Sequence, residues 1–241
     1  MKRILGSLLV IALLATSCGK EISTETNGAG TAPGPGPGTG GSGTPVTGTY
    51  QPFSKNSYWK YKQTGAFPGE MTVTSTGQTR TVSGISCGVF NNTSTITNPP
   101  STGEGLFGIK DHNYYSVIKA VSPNTGALLD ITFLYMNDTA SVNYDWDHVA
   151  GTGNGFKIIT SGLVLEKGII MTVEGKTYTD VMHTVVQLQY ELPGVGLVPL
   201  TDYDYYVAKN IGIIKIKTIA DDPMGGGDIR TEMNLVEYSI K

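Results

Sequence analysis

Between Thr49 and Lys241 apolar and polar residues alternate nearly everywhere, and a sustained 3.6-residue repeat occurs almost nowhere. Successive side chains of a strand leave opposite faces, so a period of two confines the chain to β structure with one dry and one wet face. In the first half, Tyr58–Gln63, Glu70–Ser75, Thr79–Ser86, Asn113–Val121, Leu128–Met136 and Ser141–Trp146 read as strands. In the second, Phe156–Leu165, Ile169–Val173, Val181–Leu192, Tyr203–Ala208, Ile211–Ile219 and Ile229–Ile240 do so more sharply. Gly, Asn and Pro punctuate them, and long strands joined by short turns pair antiparallel. The fold class is therefore mainly β: an antiparallel curled sheet, half-barrel or barrel-like, with a closed barrel and a sandwich sharing the same strand pattern.

Particular residues place the faces. Met182, Val186, Leu188 and Tyr190 fall on one side of their strand and Gln187 and Gln189 on the other, while Ile214 and Ile216 alternate with Lys215 and Lys217. In the last strand Ile229, Met233 and Leu235 share a face, and then Val236, Tyr238 and Ile240 take over. A change of phase inside one strand predicts a β-bulge near Leu235 and Val236. Val173-Glu174-Gly175-Lys176 predicts a tight hairpin.

The first 48 residues are of another kind. Met1-Lys2-Arg3 followed by the apolar run Ile4–Leu14 has the charged and hydrophobic regions of a secretory signal. The run is shorter than the roughly 18 to 20 apolar residues that cross a bilayer. Leu13-Leu14-Ala15-Thr16-Ser17-Cys18 resembles a bacterial lipobox, which implies cleavage before Cys18 and lipidation of its sulfur. Two or three acyl chains hold a protein at a membrane where one anchors only marginally. Gly19-Lys20-Glu21, with no Asp beside the cysteine, resembles lipoproteins sorted to the outer membrane, facing the periplasm or the cell surface. Residues 22–48, with the run Pro33-Gly34-Pro35-Gly36-Pro37-Gly38, cannot bury enough apolar surface to order themselves. They form a tether with a root-mean-square reach of roughly 25 to 30 Å. The organisation is a signal peptide over 1–17, a lipidated N-terminus and linker over 18–48, and one β domain over 49–241.

Charge and cysteine narrow the function classes. Lys and Arg number 17 against 20 Asp and Glu, and removing Lys2 and Arg3 with the signal leaves 15 against 20. A mildly acidic chain without basic clusters is a poor nucleic-acid binder. With Cys18 acylated, Cys87 has no partner, so the core must hold without a disulfide.

Three stretches carry a family resemblance. Tyr50-Gln51-Pro52-Phe53-Ser54-Lys55-Asn56-Ser57-Tyr58-Trp59-Lys60-Tyr61 resembles the opening of many Bacteroidota lipoproteins of unassigned role, in which a Pro, a turn and Trp-x-Tyr begin the first strand. Residues 173–182 and 205–215 resemble two later segments of the same proteins, with Asn210 in place of a usual glycine, a change Asn tolerates because it adopts the left-handed region. The resemblance implies a sheet curled toward a half-barrel, similar to periplasmic lipoprotein carriers, and no known reaction.

The motifs for chemistry are thin. Gly84-Ile85-Ser86-Cys87-Gly88 matches GxSxG, with Ser86 as nucleophile and His183 as base, yet β or loop sequence follows where the nucleophile elbow needs a helix. Gly38–Gly43 fits GxGxxG without a flanking strand or helix. Asp221, Asp222 and Asp228 around Gly225-Gly226-Gly227 offer oxygen ligands at a spacing unlike an EF-hand, and read as a solvated hairpin tip. In Tyr144-Asp145-Trp146-Asp147-His148, alternation puts the two carboxylates on one face and His148 with Tyr144 and Trp146 on the other. His112, His148 and His183 lack metal-ligand spacing, and His183 reads as a surface residue. The expectation is therefore no enzyme, no metal and no cofactor.

Aromatic residues are the binding candidates, because their rings stack on sugars or line apolar pockets. Tyr144 and Trp146 come first, with Tyr203 and Tyr205 beside them. Asp138-Thr139-Ala140 resembles the short motif on which exported Bacteroidota proteins carry O-glycans, which makes Thr139 a glycosylation candidate. The functional expectation is an outer-membrane-anchored lipoprotein that non-catalytically binds a small apolar ligand or glycan; the alternative is a structural or assembly subunit of an envelope complex, with a hydrolase behind both. Expected partners are the membrane through Cys18 and a lipid, a glycan or an envelope protein.

Overall fold

The computed structural model describes residues 48–97, 99–121, 128–153, 156–221 and 227–241. The signal peptide, Cys18, nearly all of the linker and residues 222–226 of the acidic turn lie outside them.

Twelve strands follow in chain order: β1 (Tyr58–Gly65), β2 (Gly69–Val82), β3 (Ile85–Ser94), β4 (Ser101–Lys110), β5 (Asn113–Val121), β6 (Leu128–Asn137), β7 (Asp145–Gly153), β8 (Phe156–Val173), β9 (Lys176–Leu192), β10 (Gly196–Ala208), β11 (Gly212–Asp221) and β12 (Asp228–Ser239). They form one antiparallel sheet in which sequence neighbours pair, β12 returns to pair with β1, and β6 and β7 are the two ends. The sheet curls until β6 lies against β7, β8 and β9, giving a nearly closed barrel.

No ladder joins β6 to β7, and side chains close that seam. The Thr132 hydroxyl donates to the Ala150 carbonyl at 3.2 Å, and from β9 Thr184 donates to the Tyr135 carbonyl at 2.8 Å. Residues Ile131 to Met136 are buried throughout. Ile131, Phe133 and Tyr135 join the main core, whereas Leu134 joins Ile85, Cys87 and Tyr115 in a smaller cluster that Trp146 covers. An edge strand with both faces buried and covered by its neighbours is a poor template for pairing with another chain.

The bulge in β12 is present: Lys60 faces Glu237 and Tyr61 faces Leu235, leaving Val236 unpaired. The phase change lets Leu235 and Tyr238 both pack on the second core cluster, with Trp59 and Tyr61 of β1. The 173–176 hairpin is also present, with Glu174 at φ 48° and Gly175 at φ 76°, the two left-handed residues of a type I′ turn. Asn210 takes φ 64°.

The structure corrects several strand assignments, and β9 and β10 begin earlier than expected, at Lys176 and Gly196. Thr79–Ser86 is not one strand, because Ser83 (φ 50°) and Gly84 (φ 75°) make the β2–β3 turn. Ile169–Val173 is not separate from Phe156–Leu165; β8 runs through both with register shifts around Glu166 and Ile169. Ser141–Trp146 is mostly turn, closed by the Tyr144 N–H on the Ser141 carbonyl, and β7 begins only at Asp145. Finally, most of β3 and all of β4 fall outside the strands that alternation placed. In β4 Gly108 is a packing requirement, since a Cβ there would lie 2.6 Å from Ile85 Cγ2.

Between linker and β1, residues 49–57 form a strap across the core. Asn210 accepts the Gly48 N–H on its side chain and donates its own N–H to the Thr49 carbonyl, both at 2.7 Å. Tyr50 and Gln51 are buried, and the Phe53 ring packs on Phe90 at 6.0 Å.

Candidate functional site

The barrel interior between β6 and β10 is built of aromatic rings. Alternation along Ile131–Tyr135 and Tyr203–Tyr205 turns Phe133, Tyr135, Tyr203 and Tyr205 inward. Phe133 meets Tyr203 edge-on at 5.1 Å, and Tyr135 stacks on Tyr205 at 5.2 Å. Such pairs add to the area they bury. Burial drives the Tyr135 and Tyr205 phenols well above their ordinary pKa, so both stay protonated and able to donate a hydrogen bond.

These rings leave an internal cavity of about 40 Å³. Its wall includes Trp59, Tyr61, Met71, Ile216 and Met233, together with Gln51 of the strap, Ser116, Tyr135 and Tyr205. Among the described residues no charged one lines it. The hydroxyls of Ser116, Tyr135 and Tyr205 have no hydrogen-bond partner among the described residues. Each of those residues is at least nine-tenths buried, at 5%, 0% and 1% exposure. A buried hydroxyl without a partner costs about 1 to 3 kcal/mol, so three on one cavity wall call for a physical reason. The chemistry this arrangement can perform is donation of hydrogen bonds to an acceptor in an otherwise apolar space.

The four aromatic candidates separate into two places. Tyr205 lines the cavity, and Tyr203 stacks beside it at 5.9 Å. Tyr144 and Trp146 sit instead at the start of β7, stacked on each other at 6.3 Å, with Tyr144 exposed. The Trp146 indole lies over Gly162, where any Cβ would collide with it. An open groove of about 490 Å³ runs beside it, lined in part by Trp146, Tyr203, Asp145, Asp147, Asp202 and Asp204. Three of those carboxylates are engaged: Asp147 accepts from Ser161 at 2.5 Å, Asp202 accepts from Gln187 at 2.8 Å, and Asp204 lies 3.2 Å from His183 Nε2.

The histidines take structural positions. His148 turns away from Asp145 and Asp147, as alternation requires, and its Nε2 lies 3.2 Å from the Thr132 hydroxyl in the seam. Because Thr132 gives its proton to Ala150, the ring nitrogen must donate, which places the proton of the neutral imidazole on Nε2. Burial lowers the His148 pKa and favours that neutral form. His183 is not the surface residue expected, being only 8% exposed. It does sit on the outer face of β9, but Glu166 and Asp204 cover its two nitrogens at 3.0 and 3.2 Å, and Tyr206 stacks on the ring at 4.1 Å. Long side chains from neighbouring strands hide a position that its own strand would leave wet.

The remaining candidates resolve simply. Ser86 pairs with Thr81 inside the β2–β3 hairpin, with no strand-to-helix turn. Gly88 makes room for the strap, since a Cβ there would lie 2.5 Å from the Phe53 ring. Burial raises the Cys87 pKa, away from a reactive thiolate. Among the described residues no group of three or more His, Cys, Asp or Glu is placed to hold a metal ion. Thr139 is exposed between β6 and β7, its hydroxyl donating to Asn137 Oδ1 at 2.8 Å. Cys18 and the GxGxxG match lie outside the described residues.

Sequence reasoning missed Gln51, Ser116 and Tyr135. Ser116 carried a signal, being a polar residue between Tyr114 and Ile118 on an inward face. Tyr135 carried half of one: its spacing from Ile131 and Phe133 turns it inward, but the lack of a partner for its hydroxyl depends on where β10 lies.

No family model matches the chain, and neither does any curated protein sequence. Among solved structures it is similar to a candidate lipoprotein from Parabacteroides distasonis, with a TM-score of 0.48 and 9% identity over 80% of this chain and 99% of that one. It is also similar to a candidate exported protein with a YmcC-like fold from Bacteroides fragilis, with a TM-score of 0.46 and 10% identity over 77% of this chain and 96% of that one.

Proposed function

We propose that this chain is a lipid-anchored protein of the cell envelope, held at the outer membrane through Cys18, whose barrel non-catalytically binds a small, mainly apolar ligand in its interior. The observation that carries the reading is the charge-free cavity with three unpartnered hydroxyls on its wall. The signal-like N-terminus and the cysteine at residue 18 support the anchor. A glycan fits the interior poorly, because the cavity is well below the roughly 150 Å³ that admits benzene, and a sugar ring is larger.

The test is native mass spectrometry of the full-length protein extracted from its own envelope in detergent, with identification of whatever is released. A stoichiometric small molecule is expected, and an empty protein overturns the reading. Cys18→Ala should abolish incorporation of a clickable palmitate analogue and release the protein from the membrane fraction; unchanged labelling overturns the anchor.

A second reading, an assembly subunit of an envelope complex, has one observation of its own. Leu192–Leu200 at the β9–β10 turn contains no charged residue, and Val195 and Leu197 are 71% and 55% exposed. Isolated exposed aliphatics are ordinary, but two at one hairpin tip make a small apolar surface.

A further inference from the structure

We propose that the interior cavity selects a small neutral molecule carrying a hydrogen-bond acceptor, such as a carbonyl, amide or ether oxygen on a compact apolar body. The inference rests on the reading above, that the cavity is a ligand site, and adds the chemistry of its occupant.

Three features set that chemistry. The first is charge. Among the described residues no Lys, Arg, His, Asp or Glu lines the cavity, so a carboxylate, phosphate or ammonium would enter without a counter-charge and lose its hydration uncompensated. The second is the polarity of the wall. Tyr135, Tyr205 and Ser116 are hydroxyl donors without acceptors, and both phenols stay protonated because ionising them in this interior is unfavourable. A bare hydrocarbon would leave all three unsatisfied, whereas a carbonyl oxygen accepts two hydrogen bonds. Gln51 adds a side-chain amide to the same wall. The third is size. About 40 Å³ holds roughly three waters or a molecule of similar bulk, and the surrounding contacts are with Met71, Val73, Ile213, Ile216 and Met233.

The strap ties the site to the tether. Gln51 reaches the cavity wall from a segment whose first residues are fixed by Asn210, immediately after the linker. The occupant is thus enclosed by the stretch of chain that leads to the membrane.

Three molecules with three heavy atoms each, matching the bulk of about three waters, separate the possibilities: dimethyl ether, a neutral acceptor; propane, which lacks the oxygen; and formate, which is charged. Met71 and Met233 line the cavity, so their methyl groups, labelled with carbon-13 in the full-length protein, report occupancy by NMR. Dimethyl ether is expected to shift both resonances saturably, propane to bind about tenfold more weakly, and formate to leave them unmoved, since one buried hydrogen bond corresponds to roughly that factor. Tyr205→Phe is expected to weaken dimethyl ether about tenfold, leave propane unchanged and raise the melting temperature of the empty protein. A hydroxyl with a purely structural role would lower that temperature and alter both probes alike. If dimethyl ether and propane bind equally, the selectivity is overturned and the cavity remains a ligand site. If no probe shifts either methionine and long-lived waters are found on the hydroxyls instead, both the selectivity and the ligand site fall.

Discussion

Two groups of buried tyrosines differ in what their hydroxyls do. Around the strap each phenol has a partner: Tyr50 donates to Asp180 at 3.3 Å, Tyr114 to Asp138 at 2.9 Å and Tyr61 to the Ile213 carbonyl at 3.0 Å. Between β6 and β10, Tyr135, Tyr203 and Tyr205 are equally buried and have none among the described residues. The residue type and the burial are alike, so the presence of an acceptor separates them. Phenylalanine would fill the second position as well and would not bury a polar atom. The first group is explained by folding; under the proposed function an occupant would meet the hydroxyls of Tyr135 and Tyr205, whereas Tyr203, which does not line the cavity, would gain nothing from it.

The strap side should yield the largest effect. Tyr114→Phe removes a hydrogen bond to a carboxylate and strands the buried Tyr50 N–H, which Tyr114 accepts at 3.2 Å. Losing a charge-assisted bond and orphaning a backbone donor should cost about 2 to 3 kcal/mol, read as a fall in the urea midpoint at constant slope. Tyr135→Phe should move the other way, stabilising the empty protein by up to about 1 kcal/mol because it removes an unpaired polar atom. If both variants destabilise, the Tyr135 hydroxyl has a partner after all and the contrast is lost.

The fold was more legible than this contrast. Alternation placed most strands, and the phase change from Leu235 to Val236 located the bulge, because both signals depend on one strand at a time. The hairpin at Glu174 and Gly175 was legible for the same reason, since positive φ is a local demand. β4 was not, because Gly103, Gly105 and Gly108 carry little β preference, and what holds them in a strand is the Leu106–Val117 pairing and the close approach of Ile85. His183 failed for a related reason: its burial comes from Glu166, Asp204 and Tyr206, on two other strands. Of the site, Tyr203 and Tyr205 were legible as aromatic residues, but the cavity beside Tyr205 exists only once β6 has closed against β9.

The seam gives an intermediate case, a buried polar contact that is partnered but titratable. The folded His148 holds a pKa below the ordinary 6.5 because burial disfavours the charged ring. The unfolded chain therefore takes up a proton first as the pH falls. The contribution of this ring to stability is complete above about pH 6.5 and declines as the pH drops below it, until the folded ring is protonated too. Urea midpoints measured from pH 7.5 to 5.5 should fall in the wild type, and His148→Gln, which keeps an N–H donor, should flatten that slope. An unchanged slope in the variant would assign the pH dependence to another group.

The smallest effect on stability belongs to the outer surface, where no buried partner is at stake. Val195→Ser with Leu197→Ser replaces two exposed aliphatics at the β9–β10 tip, and should change the urea midpoint by no more than about 0.5 kcal/mol in free energy. Its value lies in separating the two functional readings. A barrel that works through its interior keeps its occupant, and its Met71 and Met233 methyl shifts, when the tip is made polar. An assembly subunit that docks through this hairpin loses its envelope partner in cross-linking while the interior stays as it was. Loss of the occupant on changing only the tip would contradict both, because no residue of that turn lines the cavity.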